Sequence, residues 1–323
     1  MRPKIGVGIN VKELNARPYH LKTYYYIAKR ADEVGLDFLA IPNMVSRGMP
    51  GVETFAYLTA LAARTEWVRL GTFVCQVPLY HPIILASRIA TLDVISEGRF
   101  VFGAGTGWYR PEVEGTFGVP WNERWQRFDE AMEIMRKLWT ESEPVTYEGK
   151  YFKLKDVVTI KPVQEPHTPI WIGGTSDVAL EMVAKHGDGW AGLNYPFWTS
   201  VKQREAYSVQ ERLEKLKEYC KRYGKDPDKI KIGMFLHMNI SSSREKAIGD
   251  VKAHYVEVRK GRVGGGGPLE HQLKWGVWGP AETVIEAIKQ FEKVGADTVV
   301  LWPVTRDLKT QWDRIEREVL PNL

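Results

Sequence analysis

Residues 169–190 read PIWIGGTSDVALEMVAKHGDGW, and they contain one complete repeat of a fold. Ile170, Trp171 and Ile172 form an apolar run too short for a helix, closed by Gly173 and Gly174. Over 178–186 the apolar residues recur on helical spacing, and the pattern stops at Gly187. A second apolar run, GWAGL, follows at 189–193. Strand, helix and strand in this order is a crossover unit, whose two strands run parallel. Neither strand alternates polar with apolar, as expected where both faces are covered.

The same unit recurs in both directions along the chain. Strand-like runs are expected at 4–9, 37–42, 68–76, 99–105, 170–173, 189–193, 231–239 and 297–302. Helical periodicity marks 24–34, which ends at Gly35, and then 55–63, 83–95 and 125–139. It returns at 178–186, over the highly charged stretch 201–223, and at 280–294, which has Pro280 in its first turn and Gly295 after its end. A doubly wound sheet usually stops at five to seven strands. Eight such units predict an α/β (β/α)8 TIM barrel in a single domain over 1–323. Insertions are expected after the fourth and seventh strands, at about 141–165 and 260–275. The first reads as an extra hairpin with a covering loop. The second includes KGRVGGGGP, which is either a lid over the mouth or a tolerated surface loop.

Composition narrows the function classes. The chain has 323 residues, 44% of them hydrophobic and 26% charged, which is enough to bury a sizeable core. The net charge of +5 is dispersed and does not form the concentrated patch that nucleic acid requires. Two cysteines, Cys75 and Cys220, provide neither a disulfide framework nor a metal cluster. The first ten residues lack a signal pattern, and no apolar run approaches the ~20 residues that span a bilayer. The expectation is a soluble, cytoplasmic protein that binds neither membrane nor nucleic acid nor metal.

In a barrel, chemistry gathers where the strands end at their C-termini. Gly173, Gly174, Thr175 and Ser176 occupy one such end, directly before a helix. Open backbone, unpaired first-turn amides and two hydroxyls suit a phosphate. The same residues also suit a plain helix cap on a tight turn. Asp177 disfavours an anion unless its carboxylate turns away. A second glycine cluster, Gly103, Gly105 and Gly107, ends the fourth strand and runs into Trp108-Tyr109-Arg110-Pro111, read as a loop. It lacks the spacing of a dinucleotide fingerprint, yet bare backbone there leaves room for a flat ring. Residues 264–267 are four glycines with no Lys-Ser/Thr after them, so they are not a phosphate loop.

Three stretches resemble a known family. Residues 81–140 (HPIILASRIATLDVISEGRFVFGAGTGWYRPEVEGTFGVPWNERWQRFDEAMEIMRKLWT) are similar to the core segment of bacterial luciferase-like, flavin-dependent oxidoreductases. Residues 161–190 resemble the fifth βα unit of those proteins, and WGPAETVIEAIKQFEKVGADTVVL, 278–301, resembles their closing unit. The family fold is a TIM barrel. The resemblance implies a flavin-type cofactor, the deazaflavin F420 or FMN, at the barrel mouth. Its phosphate is expected on Gly173, Gly174, Thr175 and Ser176. Its ring is expected against Phe73, Val74 and Gln76 on one side and Gly105, Thr106 and Gly107 on another. A non-proline cis peptide is implied at Phe73–Val74, and relatives suggest a homodimer. Many relatives carry an acidic residue and a histidine, or paired histidines, at the end of strand two. This chain has Asn43 and Met44 there.

The proton-transfer group is therefore sought elsewhere. The candidate catalytic residues are His237, near the end of strand seven, Asn43 itself, and Tyr109 after the glycine cluster. His237 also suits a histidine satisfied by backbone within the barrel. Tyr109, Arg110 and Glu112 either touch the ligand or pair with one another. Asn10, at the end of strand one, is positioned to hydrogen-bond a ring or substrate, and Arg17 to meet an anionic tail. Trp108, Tyr195, Phe197, Trp198 and Trp302 fall at strand ends and suit an apolar pocket for a small organic substrate, or simple packing. The activity the resemblance implies is that of an oxidoreductase using F420 by hydride transfer, or reduced FMN, on a small organic substrate. The alternatives are an FMN- and O2-dependent monooxygenase fed by a separate reductase, and a flavin-binding barrel without turnover. A phosphate-binding aldolase ranks last, because no lysine stands at a strand end.

Overall fold

Eight parallel strands close into a ring in the computed structural model, which describes residues 3–9, 20–43, 53–193, 209–259 and 269–323. In chain order the elements begin with β1 Lys4–Gly8, α1 His20–Glu33, β2 Phe38–Ile41, α2 Thr54–Ala62, β3 Arg69–Thr72, β4 Cys75–Gln76 and α3 Pro82–Ile95. β5 Phe100–Gly105, α4 Arg124–Thr140, β6 Val145–Glu148, β7 Lys153–Val157, β8 Ile170–Gly173, α5 Asp177–His186 and β9 Gly189–Leu193 follow. The rest are α6 Val209–Arg222, β10 Lys231–Ile240, α7 Arg244–Arg259, α8 Leu269–Trp275, β11 Val277–Gly279, α9 Ala281–Lys293, β12 Thr298–Pro303 and α10 Leu308–Arg314. The ring runs β1–β2–β3–β5–β8–β9–β10–β12 and returns to β1, where Lys4–Val7 pair in parallel with Thr298–Leu301. β4 extends the rim beside β5, and β11 beside β10.

The third strand departs from expectation. Residues 68–76 read as one run, but the strand breaks into β3 and β4; the Phe73–Val74 peptide between them is cis, as the resemblance implied. At the break the Thr72 carbonyl lies where a side chain on Gly103 would begin. Beyond the break, Cys75 and Gln76 rejoin β5 opposite Ala104 and Gly105.

A few large rings fill the ring of strands. Phe38, Phe73, Trp171, Phe235 and Trp302 make one inner cluster with small residues between them. Phe38 stacks on Trp171 at 5.8 Å, and Phe73 meets Phe235 edge-on at 4.0 Å. Each large ring takes space that a facing glycine leaves open. A methyl on Gly8 would fall inside the Trp302 indole, one on Gly71 inside the Phe38 ring, and one on Gly233 inside the Trp171 ring. The second, larger core lies between the outer strand faces and the helices, with Trp190, Phe128 and Trp312 among its fully buried members.

The segment after α4 does form a hairpin, β6 with β7 antiparallel. It packs outside the barrel. Its tip donates the Phe152 amide to Glu130 at 2.7 Å, Tyr147 donates to Glu133, and the Phe152 ring meets His81 at the start of α3. The link from the hairpin to β8 is held by Asp93, a fully buried residue of α3. Its carboxylate accepts from the Val163 amide at 2.8 Å, the Gln164 amide at 3.0 Å and the Gln164 side chain. Asp93→Ala removes all three acceptor contacts, and a loss of about 2 kcal/mol is expected, with partial relief from water at the exposed end. Chemical denaturation checks this; a midpoint equal to that of the wild type would show that the link is held by something else.

Candidate functional site

The mouth of the barrel is built around Val74. Its two methyls stand where Cβ atoms on Gly173 and Gly105 would sit, at 2.9 and 2.7 Å from those ideal positions. The glycines at the ends of β5 and β8 therefore make room first for this side chain, which stays half-buried at the mouth. Phe73 turns the other way, into the inner aromatic cluster. Gly107, at φ +78°, has Gln76 and Val113 packed where its Cβ would be. Thr106 is buried beside it.

The corner at β2 is a buried polar knot. The Asn43 side-chain amide donates to Tyr80 at 3.0 Å and to Thr54 at 3.3 Å, and its oxygen accepts the Gln76 amide at 3.2 Å. Gln76 in turn donates its side-chain NH2 to the Asn43 carbonyl and to Glu112, at 3.4 and 3.3 Å. Burial pushes the Tyr80 phenol well above its ordinary range. Both ends of the Asn43 amide thus have protein partners, so the residue is placed to hold β2 and β4 together.

The stretch after Gly107, read as a loop from sequence, contains a π-helical turn, Pro111–Thr116. The Tyr109 carbonyl accepts the Glu112 and Val113 amides, and its half-buried ring lies 5.7 Å from that of Trp108. Arg110 is exposed and pairs with Glu114 at 2.6 Å. Glu112 is buried against Gln76.

Across the mouth, His237 and Trp302 are Cα partners of the β10–β12 ladder. Their rings lie 6.2 Å apart at 39°. Trp302 also touches Phe235 at 5.1 Å, so His237 stands on an aromatic floor and is itself half-buried. Asn239, two residues on, is fully buried and donates to the Val304 carbonyl at 3.0 Å.

The junction between β8 and α5 resolves into two functions. Ser176 is the helix N-cap, its hydroxyl accepting from the Ala179 amide at 3.3 Å. Among the described residues no acceptor is found for the amides of Thr175, Ser176, Asp177 and Val178. Asp177, the residue that disfavoured an anion, turns away: its two oxygens pair with Lys215 at 2.7 Å and Arg212 at 2.8 Å. Lys215, with Arg212, holds its carboxyl below the usual range. What remains is a row of amides without a protein acceptor among the described residues, and their partial positive charge is the chemistry of an anion cradle. Gly174, at φ +128° with Ala179 against its missing Cβ, shapes the turn.

Arg212 was not legible as part of this. The charged stretch 201–223 reads as a solvated helix, yet one face of α6 packs on α5 and Arg212 is only 4% exposed. A lone arginine flanked by Leu213 and Leu216 was the available signal. Asn10, Arg17, Met44, Tyr195, Phe197, Trp198 and the stretch 260–268 lie outside the described residues. Among the described residues no helix is long and apolar enough to cross a membrane, and no group of three or more His, Cys, Asp or Glu gathers as for a metal.

Comparison with known proteins agrees with the barrel fold. The family model described as luciferase-like monooxygenase matches residues 10–298. A curated relative, the F420-dependent glucose-6-phosphate dehydrogenase of Intrasporangium calvum, is 29% identical over 91% of this chain and 92% of its own. Among solved structures, an F420-dependent secondary alcohol dehydrogenase bound to an F420-acetone adduct superposes with a TM-score of 0.78 at 23% identity, over 99% of both chains. The monooxygenase RslO1 from Streptomyces bottropensis superposes with a TM-score of 0.77 at 21% identity, over 99% of both chains. At these identities the two structures bear on the fold alone.

Proposed function

This chain belongs to the luciferase-like monooxygenase family, and from that premise we propose that it is an oxidoreductase that binds the deazaflavin F420, or FMN in its place, and acts on a small organic substrate. The observation that carries the reading is the cradle at Thr175–Val178, which presents unpaired amides while Asp177 is neutralised from behind. That donor set fits the phosphate both cofactors carry. The relatives named as F420-dependent dehydrogenases favour F420.

When bound, such a cofactor supplies hydride transfer to or from carbon. The residues of this chain do the rest. The amides of Thr175 and Ser176 would hold the phosphate, with Gly173 and Gly174 shaping the turn that presents them. Val74, Gly105, Thr106 and Gly107 form the bed for the ring, with Phe73 and Gln76 supporting that bed from beneath. Trp302 and Phe235 keep water from the substrate's apolar side. His237 gives or takes the proton at the substrate oxygen. Tyr109 faces the substrate from the β5 side. Asn43 fixes the corner between β2 and β4 and leaves the proton to His237. Asn10 completes the ring site from β1. The working form is a homodimer in the cytoplasm, and a separate reductase is needed only if FMN is the cofactor.

Titration of the apoprotein with F420 and with FMN, followed by fluorescence, tests the reading. Saturable micromolar binding of one of them is expected. Turnover is then followed by absorbance with glucose 6-phosphate, sugars and simple alcohols, with oxygen uptake monitored in parallel. Binding of neither cofactor would overturn the assignment, and oxygen uptake tied to product would replace hydride transfer with oxygenation.

A further inference from the structure

Two side chains behind the cradle fix the direction in which its amides point. The Gly174 carbonyl accepts the indole N–H of Trp190 at 2.7 Å, and the Thr175 carbonyl accepts Arg212 at 3.1 Å. Both side chains are buried, Trp190 fully and Arg212 nearly so. A trans peptide is planar, so its carbonyl and the amide of the following residue point in opposite directions. Cis bonds occur at Phe73–Val74 and Glu165–Pro166, and the two peptides of interest are not among them. Anchoring the Gly174 carbonyl toward Trp190 in the outer core therefore drives the Thr175 amide away from that core. Anchoring the Thr175 carbonyl toward α6 drives the Ser176 amide away from α6.

We infer that Trp190 and Arg212 are positioning residues for cofactor binding: by holding two successive carbonyls from behind, they aim the Thr175 and Ser176 amides at the cofactor phosphate. The inference rests on the cofactor site proposed above and assigns two residues that never touch the ligand. Arg212 has a second role in the same place. It shares with Lys215 the charge of Asp177, which would otherwise repel an anion at the helix start. Without the two anchors the peptides at 174–176 are free to rotate, and the amides lose their common direction before the ligand arrives. The cost then appears in phosphate recognition and leaves the ring's own contacts intact.

Ligands that differ only in the phosphate separate these contributions. FMN against riboflavin is one pair, and F420 against its phosphate-free deazaflavin chromophore is the other. Wild-type protein is expected to prefer the phosphorylated member of at least one pair by about tenfold or more, the equivalent of one good charged contact. Trp190→Phe keeps a smaller aromatic ring at this buried position and removes the N–H donor. It is expected to weaken the phosphorylated ligand about three- to tenfold, the worth of one hydrogen bond, and to leave the phosphate-free ligand unchanged. In Arg212 a single nitrogen, Nη1, serves both the Thr175 carbonyl and Asp177; Arg212→Lys keeps the charge on a shorter side chain with a differently shaped head and is expected to shift the same ratio. A wild type indifferent to the phosphate would sink the cradle itself. A discriminating wild type whose ratio is unmoved in both folded variants would sink the anchoring role and leave the cradle standing. Equal weakening of both ligands would make the two residues merely structural.

Discussion

Gly103→Ala is expected to destabilise the protein by roughly 3 kcal/mol or more, at the upper end of what overpacking costs. The added methyl carbon would lie 1.9 Å from the carbonyl oxygen of Thr72, and a backbone atom in a parallel ladder cannot rotate aside. Thr72 is also tied to this strand directly, its hydroxyl donating to the Gly103 carbonyl at 2.7 Å. Relief would require β3 to move away from β5, which would also draw Val74 out of the space between Gly105 and Gly173. The change should therefore lower the melting temperature by roughly 4–5 °C or more and weaken cofactor binding in the same protein. Gly115→Ala is the control, since open space surrounds its missing Cβ. Normal stability in the Gly103 variant would show that the Thr72 carbonyl does not lie against β5 as described.

His237→Ala is expected to lower kcat by 10²- to 10⁴-fold while leaving cofactor affinity within about threefold, since loss of a general acid or base acts on the proton step. The reason for choosing His237 is positional. It stands on the inner face of β10 beside Trp302, whereas both ends of the Asn43 amide are committed to Thr54, Tyr80 and Gln76. The cradle lies at β8, so phosphate binding should not notice the change. His237→Gln, which keeps a polar group but cannot titrate near neutrality, should lose activity with a flattened pH profile. Activity within threefold of wild type in both variants would remove His237 from the mechanism. A collapse of cofactor affinity would move it to the binding surface.

Most of the barrel was legible in the residues because parallel strands covered on both faces are written as continuous apolar runs. KIGMFLHMN and DTVVLW announce β10 and β12 to within a residue or so. The break in strand three was invisible in sequence. VRLGTFVCQ carries neither proline nor a turn signal at the break, and the close approach of Thr72 to Gly103 is a long-range contact with no local signature. The last helix, α10, carries its signals locally. Asp307 caps it by accepting from the Thr310 amide, and Leu308, Gln311, Trp312 and Ile315 fall on one buried face.

The site was legible at the level of the backbone and much less so for side chains. Two glycines and two hydroxyls before a helix mark the cradle, but nothing local shows that Asp177 turns toward α6, because Arg212 and Lys215 are over thirty residues away. The resemblance supplied the cis peptide and the neighbourhood of the ring. The aromatic floor beneath His237 comes from strands scattered across the chain, and only closure of the barrel brings Phe73, Phe235 and Trp302 together.

The pairing of inner rings with facing glycines also restricts how this sequence can drift. Gly8 and Trp302 stand nearly three hundred residues apart, yet neither is free to change first in an arbitrary way. Enlarging Gly8 while the indole is in place forces an overlap, whereas trimming the indole opens a void that a larger residue at position 8 could later fill. The permitted order is shrinkage before growth. Homologous chains that have lost the tryptophan at this place should be the ones in which position 8 has become larger, and the same rule should join position 71 to Phe38 and position 233 to Trp171.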